Sequence, residues 1–191
     1  TFDALHAHLS SRYAAQWGWD FWAPQFRDYH SETVAQFRHQ YGEEIEFYAW
    51  LQFCADRQLA ECDALCKAQQ MTIGMYRDLA VGVTGSGSET WNDKELYCLH
   101  ASVGAPPDIL GPQGQNWGLT PMNPHILKQR AYQPFIDLIR ANMKHCGALR
   151  IDHIMSLLRL WWIPKGDCPA NGAYVRYPVD DLIAILALES Q

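Results

Sequence analysis

The sequence has few positive charges, and they are scattered. Its 15 Lys and Arg are outnumbered by 21 Asp and Glu, for a formal charge of −6, and they form no basic block. Phosphate binding needs Lys and Arg gathered together, so no nucleic-acid partner is expected. No apolar run approaches the roughly 18–20 residues that span a bilayer, so no membrane partner is expected either. The opening Thr1-Phe2-Asp3 has neither the basic start nor the apolar centre of a secretory signal peptide. There is no internal repeat and no low-complexity segment. The six cysteines (Cys54, Cys62, Cys66, Cys98, Cys146 and Cys168) include no Cys-x-x-Cys pair. A metal site wants paired short spacings with His in register, and disulfide frameworks belong to small secreted chains. The expectation is six buried or half-buried thiols in a reducing, cytoplasmic compartment, with no metal.

Apolar and aromatic residues are plentiful. Hydrophobic residues make up 48% of the 191, against 19% charged, which excludes intrinsic disorder and suits one ordinary domain. Eight Trp and nine Tyr stand out. Such rings join a flat apolar face to a polar edge, which suits sugar rings as well as a protein core.

The first forty residues read as aromatic and irregular, with Trp17-Gly18-Trp19-Asp20-Phe21-Trp22 at their centre. Ser31 is placed to cap a short helix through residue 41, with Gly42 as its stop. Residues 43–70 read as a long helix, with Phe47, Leu51, Cys54, Leu59, Cys62 and Leu65 on one apolar stripe. Residues 73–83 read as a buried strand, and residues 84–128 as a long, mostly irregular loop. A helix over 130–146 stopped by Gly147, a strand over 148–153 and a helix opening at Asp180 or Asp181 complete the order. This alternation predicts the α/β class with a parallel sheet or barrel. A complete (β/α)₈ barrel takes at least about 200 residues, so two strands are expected to be part of one, cut from a larger domain. The expected division is a helical or irregular insertion over 1–42 and a partial barrel over 43–191.

Residues two apart on a strand share a face. Arg150 and Asp152 therefore share one face, and Leu149, Ile151 and His153 the other. A guanidinium favours the ionised form of a neighbouring carboxyl, and a carboxylate at the end of a barrel strand is suited to be a nucleophile. Taken alone, Arg-x-Asp-His favours a structural ion pair at a strand end. Tyr76 and Asp78 share a face by the same rule, and Asp78 could reach substrate hydroxyls or a nearby Arg. In the loop, Gly114-Gln115-Asn116-Trp117-Gly118 sets an indole among amide donors and acceptors, where it could face a sugar or anchor the loop.

Five segments in order then carry a resemblance. They are Tyr76-Arg77-Asp78-Leu79-Ala80-Val81-Gly82-Val83, Ala101-Ser102-Val103-Gly104-Ala105-Pro106-Pro107-Asp108, Gly114-Gln115-Asn116-Trp117-Gly118, Gly147-Ala148-Leu149-Arg150-Ile151-Asp152-His153 and Leu160-Trp161-Trp162-Ile163-Pro164. Together they closely resemble the amylomaltases, bacterial 4-α-glucanotransferases. The resemblance implies a (β/α)₈ TIM barrel with helical insertions, incomplete in this chain. It also implies retaining transfer of α-1,4-glucan segments between maltooligosaccharides. Asp152 matches the nucleophile and Arg150 the arginine that holds it. Asp78 and His153 match residues that contact the sugar at the cleavage point, Tyr76 is grouped with them, and Asn116 and Trp117 lie on the loop that shapes the glucan groove. No cofactor and no metal is implied.

The sequence also departs from the family. A retaining mechanism needs a second carboxyl about 5–5.5 Å from the nucleophile. In the family that is a Glu in a Gly-Glu-Asp-Leu-Gly motif, which is missing here. Nothing around Glu89, Glu95 or Glu189 matches the role. The 191 residues are therefore expected to be inactive alone, and open strand edges lead to the expectation that they are a cut piece of a longer protein or self-associate. The competing reading is a non-catalytic glucan-binding module. A metal-dependent hydrolase built on Asp152 and His153 has too few ligands.

Overall fold

The structure, a computed structural model, describes residues 1–12 and 17–191. It forms two compact units, Thr1–Glu61 with Ser86–Asp93 and Cys62–Gly85 with Lys94–Gln191. The segment expected as one barrel piece, 43–191, thus contributes to both units.

The first unit is built on aromatic packing. Helix α1 (Phe2–Arg12) lies where irregular chain was expected. Trp22 and Trp91 are almost fully buried, with ring centroids 5.6 Å apart and edge to face, a geometry aromatic quadrupoles favour. Trp19 Nε1 donates to Thr90 Oγ1, and Trp91 Nε1 donates to the Phe26 carbonyl. Helix α2 (Glu32–Gln40) is capped by Ser31, whose hydroxyl accepts from the Val34 amide. Gly42 does not end the helical region. It opens α3 (Gly42–Ala68), one residue after the α2 cap.

Helix α3 has the expected length, but its apolar stripe is not covered. Phe47, Leu51 and Leu65 are exposed, as are Trp50 and Phe53. Periodicity shows which residues share a face and leaves open what that face meets. Two thiols expected to be at least half-buried, Cys62 and Cys168, are exposed, and all six cysteines are free.

The second unit holds the sheets. The expected strand over 73–83 is shorter and broken, into β1 (Tyr76–Leu79) and β2 (Val83–Thr84). Residues 84–128 are not an irregular loop. They contain the short helix α4 (Ser88–Asn92), β3 (Ala101–Ala105), β4 (Gln115–Thr120) and α5 (Pro124–Gln129). Helix α6 (Gln133–Met143), β5 (Ala148–Ile151), β6 (Arg159–Pro164), β7 (Ala173–Arg176) and α7 (Val179–Glu189) follow. Two sheets result, a pair β1-β5 and a five-stranded sheet in the order β2-β4-β3-β6-β7. The pair is parallel, as the alternation predicts, with Asp78 opposite Arg150 and Leu79 opposite Ile151. The second sheet is antiparallel throughout and was not anticipated. Gly and Pro mark its turns, and they read in the sequence as a loop.

Helix α6 buries Phe135 and Ile139, four residues apart on one face, in a core shared with Leu79, Val103, Leu127, Leu160 and Leu182. Gly147 lies too close to its neighbour for any side chain. A Cβ there would stand 1.6 Å from the Ile73 carbonyl oxygen, and that closeness lets β5 enter beside β1. Gly147→Ala is expected to cost more than about 3 kcal/mol in urea denaturation, since backbone must move. Gly118→Ala, at φ 69° with open space around it, is expected to cost only about 1–2 kcal/mol. Equal losses would show that close approach is not what selects Gly147.

Tyr132, which precedes α6, donates its hydroxyl to Asp181 on α7. Partial burial and the Asp181 carboxylate push that hydroxyl up to about 12, and deeper burial pushes the Tyr177 hydroxyl up as well. The unfolded chain therefore loses these protons first, near the ordinary Tyr value of about 10. Stability should be intact below that pH and fall as pH rises toward 12, with a shallower fall in Tyr132→Phe. Alkaline melting curves test this, and an unchanged slope in the variant would refute it.

Candidate functional site

The predicted residues converge at the open end of the parallel pair. The Asp152 amide donates to the Leu79 carbonyl at 3.3 Å, which carries the β1–β5 ladder one residue beyond β5. Arg150 Nη2 donates to Asp152 Oδ1 at 2.9 Å, and its Nη1 lies 3.4 Å from Asp78 Oδ2. Arg150 and Asp152 thus share a face, as their spacing predicts. The pleat and the register bring Asp78 to the same guanidinium. The bond to Asp152, followed by the charges of Asp78 and Asp152, holds the Arg150 guanidinium above its already high ordinary value. The three groups carry one net negative charge, and each side chain is about half exposed. Such a cluster can hold a carboxylate at a fixed angle and favour positive charge developing beside it.

Tyr76 stands two residues before Asp78, opposite Ala148, and is exposed. His153 is not part of the strand, contrary to expectation. The strand ends at Ile151, and His153 turns into the left-handed region at φ 48°, from where its carbonyl accepts the Ser156 amide. Its imidazole meets the Trp117 indole edge to face, centroids 5.1 Å apart. The antiparallel sheet therefore delivers Trp117 next to the residue that follows Asp152.

Asn116 faces elsewhere. Its Oδ1 accepts from Ser102 Oγ at 2.6 Å and from the Gly118 amide at 2.9 Å, so it binds the sheet to itself. Of the two tryptophans left open by the sequence, Trp162 packs against the core. Trp161 donates Nε1 to the Pro169 carbonyl and meets Tyr174 edge to face. A cavity of about 380 Å³ bordered by Lys94, Tyr97, His100 and Trp162 contains none of the predicted residues.

The glutamates set aside in the sequence have partners of their own. Glu95 pairs with Arg130 at 2.7 Å, Glu189 accepts two bonds from Arg140, and Glu89 accepts from Ser88. Among the described residues, no group of three His, Cys, Asp or Glu is arranged to hold a metal ion. Sequence reasoning missed the bond from Trp117 Nε1 to Gln115 Oε1 at 2.9 Å. The Gln-x-Trp spacing, which puts both side chains on one face of a strand, was the available signal.

The profile of the 4-alpha-glucanotransferase family matches residues 1–191. The chain is 50% identical over 173 residues to the 4-alpha-glucanotransferase of Haemophilus influenzae, covering 91% of this chain and 25% of that protein. It is 40% identical over 172 residues to that of Mycobacterium tuberculosis, covering 90% and 24%. Among solved structures, amylomaltase from Corynebacterium glutamicum aligns at a TM-score of 0.76 with 40% identity, over 78% of this chain and 21% of that one. Amylomaltase from Streptococcus agalactiae in complex with acarbose aligns at 0.87 with 22% identity, over 98% and 38%, a likeness of fold. The chain spans about a quarter of the length of the curated relatives it matches.

Gly104 controls the approach of β4. A Cβ there would stand 1.9 Å from the Gln115 carbonyl oxygen and 2.6 Å from Ile163 Cδ1. Gly104→Ala is expected to force β3 and β4 apart, with a loss above about 3 kcal/mol, and to change the near-ultraviolet circular dichroism of the tryptophans. A variant with wild-type stability and spectrum would show that this contact can relax.

Proposed function

The chain belongs to the 4-alpha-glucanotransferase family, and we propose that the whole protein transfers α-1,4-glucan segments between maltooligosaccharides by a retaining double displacement, with Asp152 as nucleophile. The observation that carries the reading is the Asp152–Arg150–Asp78 cluster at the end of the parallel pair. The ladder bond to Leu79 fixes the Asp152 backbone, and Arg150 fixes its carboxylate.

In the first step an Asp152 oxygen forms a bond to the anomeric carbon. The bond from that carbon to the leaving 4-oxygen breaks, and the oxygen takes a proton from a carboxylic acid. In the second step the 4-hydroxyl of an acceptor attacks, the ester to Asp152 breaks, and the proton returns to the carboxylate. The cluster's net negative charge favours the oxocarbenium-like transition state of both steps. Asp78, Tyr76 and His153 are the sugar contacts at the cleavage point, and Trp117 gives one wall of the groove. Asn116 belongs to that wall through the sheet it braces.

The resemblance assigns the acid/base to a Glu of a Gly-Glu-Asp-Leu-Gly motif outside these residues. Glu89, Glu95 and Glu189, each with a partner of its own, do not replace it. The 191 residues alone are therefore proposed to be inactive. β1 and β5 are read as two strands of a (β/α)₈ barrel within the partial-barrel segment 43–191. Among the described residues they pair only with each other, so the isolated stretch is proposed to self-associate through their open edges. A cytoplasmic site of action fits the six free thiols.

Asp152→Asn in the complete protein should lower maltotriose disproportionation by at least about 10³-fold while leaving the fold intact. Mass spectrometry after reaction with a trapping oligosaccharide should find the label on Asp152. Transfer near the parent rate, or a label elsewhere, removes Asp152 from the role. Maltooligosaccharide binding without turnover by the complete wild-type protein would support a glucan-binding module instead.

A further inference from the structure

Strands β3 and β4 lose register at one place. Val103 lies opposite Leu119, but the next residue, Gly104, lies opposite Asn116. Trp117 and Gly118 are therefore extra residues on β4, and such a bulge bends a strand and redirects a side chain. Gly118 takes up the turn at φ 69°. The Asn116 side-chain Oδ1 accepts from both Ser102 Oγ and the Gly118 amide, which closes the bulge from one side. From the other, Gln115 Oε1 accepts the indole N–H of Trp117.

An indole has one donor and no acceptor. Trp117 also packs against the hydrophobic core, so the bond to Gln115 is the one polar contact that sets how its ring is turned within that packing. The ring meets the His153 imidazole 5.1 Å away at 80°, and His153 already sits at a strained left-handed φ of 48°. His153 follows Asp152 directly in the chain. A turn of the indole thus moves the imidazole, and with it the backbone that carries the carboxylate.

We propose that Gln115 is a positioning residue for the reaction, acting through Trp117 on His153 and Asp152 rather than on the glucan itself. The inference rests on the reading of Asp152 as nucleophile. It assigns the Gln115 side chain a role confined to its carbonyl oxygen. Glu, which keeps an acceptor at that place, should substitute for Gln, and Met, which keeps the length without a strong acceptor, should not.

The test uses the complete enzyme and four variants, Gln115→Met, Gln115→Glu, Trp117→Phe and the Met/Phe double. Gln115→Met should lower kcat about 10-fold with KM little changed, below the roughly 10²-fold of a full 1 Å misplacement. The melting temperature should not move. In ¹H–¹⁵N spectra the indole resonance absent from Trp117→Phe should shift in Gln115→Met and stay in place in Gln115→Glu, whose kcat should recover. The double variant should be no slower than Trp117→Phe, because Phe has no N–H to give. An unchanged kcat or indole resonance in Gln115→Met, a failure of Glu to restore either, or losses that multiply in the double variant would overturn the proposal. Transfer near the parent rate by Asp152→Asn would remove the nucleophile reading and leave the Gln115–Trp117 coupling measurable.

Discussion

Arg150 lies between two carboxylates from adjacent parallel strands, one on β1 and one just past the end of β5. That placement depends on the β1–β5 register, because Asp78 is directly opposite Arg150. A slip of one residue would turn Asp78 to the other side of the pair and leave the guanidinium with a single partner. The register in turn depends on Gly147, where the backbone of β5 passes so close to Ile73 that no side chain fits. The charge geometry of the site is thus set by a backbone contact several residues upstream.

The antiparallel sheet supplies the other half of the arrangement. It brings a tryptophan to the histidine beside Asp152, and it does so through an irregularity in its pairing. A regular β4 would send Asn116 and Trp117 to strictly alternate faces with no freedom to tilt. The bulge supplies that freedom, and hydrogen bonds to the side-chain oxygens of Asn116 and Gln115 span it. Asn116 fits this bracing role in its own geometry, since both bonds to its Oδ1 come from the sheet.

Much of this was legible in the sequence, though unevenly. Period-two spacing placed Arg150 with Asp152, and Tyr76 with Asp78, because alternation is a property of any strand whatever surrounds it. The long helix over 43–70 was legible for the same local reason. Its apolar stripe was legible as a shared face, but not what that face meets, and Phe47, Leu51 and Leu65 are exposed. The segment 84–128 was misread because strands of five or six residues interrupted by Gly and Pro carry little periodicity. β3 pairs with β6, about sixty residues further along the chain, a contact no local window contains, and β4 joins the sheet through β2 and β3. His153 was assigned to a strand face because the alternation along 148–153 does not mark where the strand ends, and the chain leaves it after Ile151.

The sequence by itself determined the mixed α/β character of the chain, its resemblance to the family, and which positions carry carboxylate, guanidinium and indole groups. These follow from side-chain type and short-range order, which do not change on folding. Only the tertiary structure decided that Asp78 and Asp152 share one guanidinium, that Trp117 abuts His153, and that Gln115 accepts the indole N–H. Each of these joins residues on different strands or sets an angle at a bulge. Distances and angles of that kind are fixed by pairing and packing across the molecule.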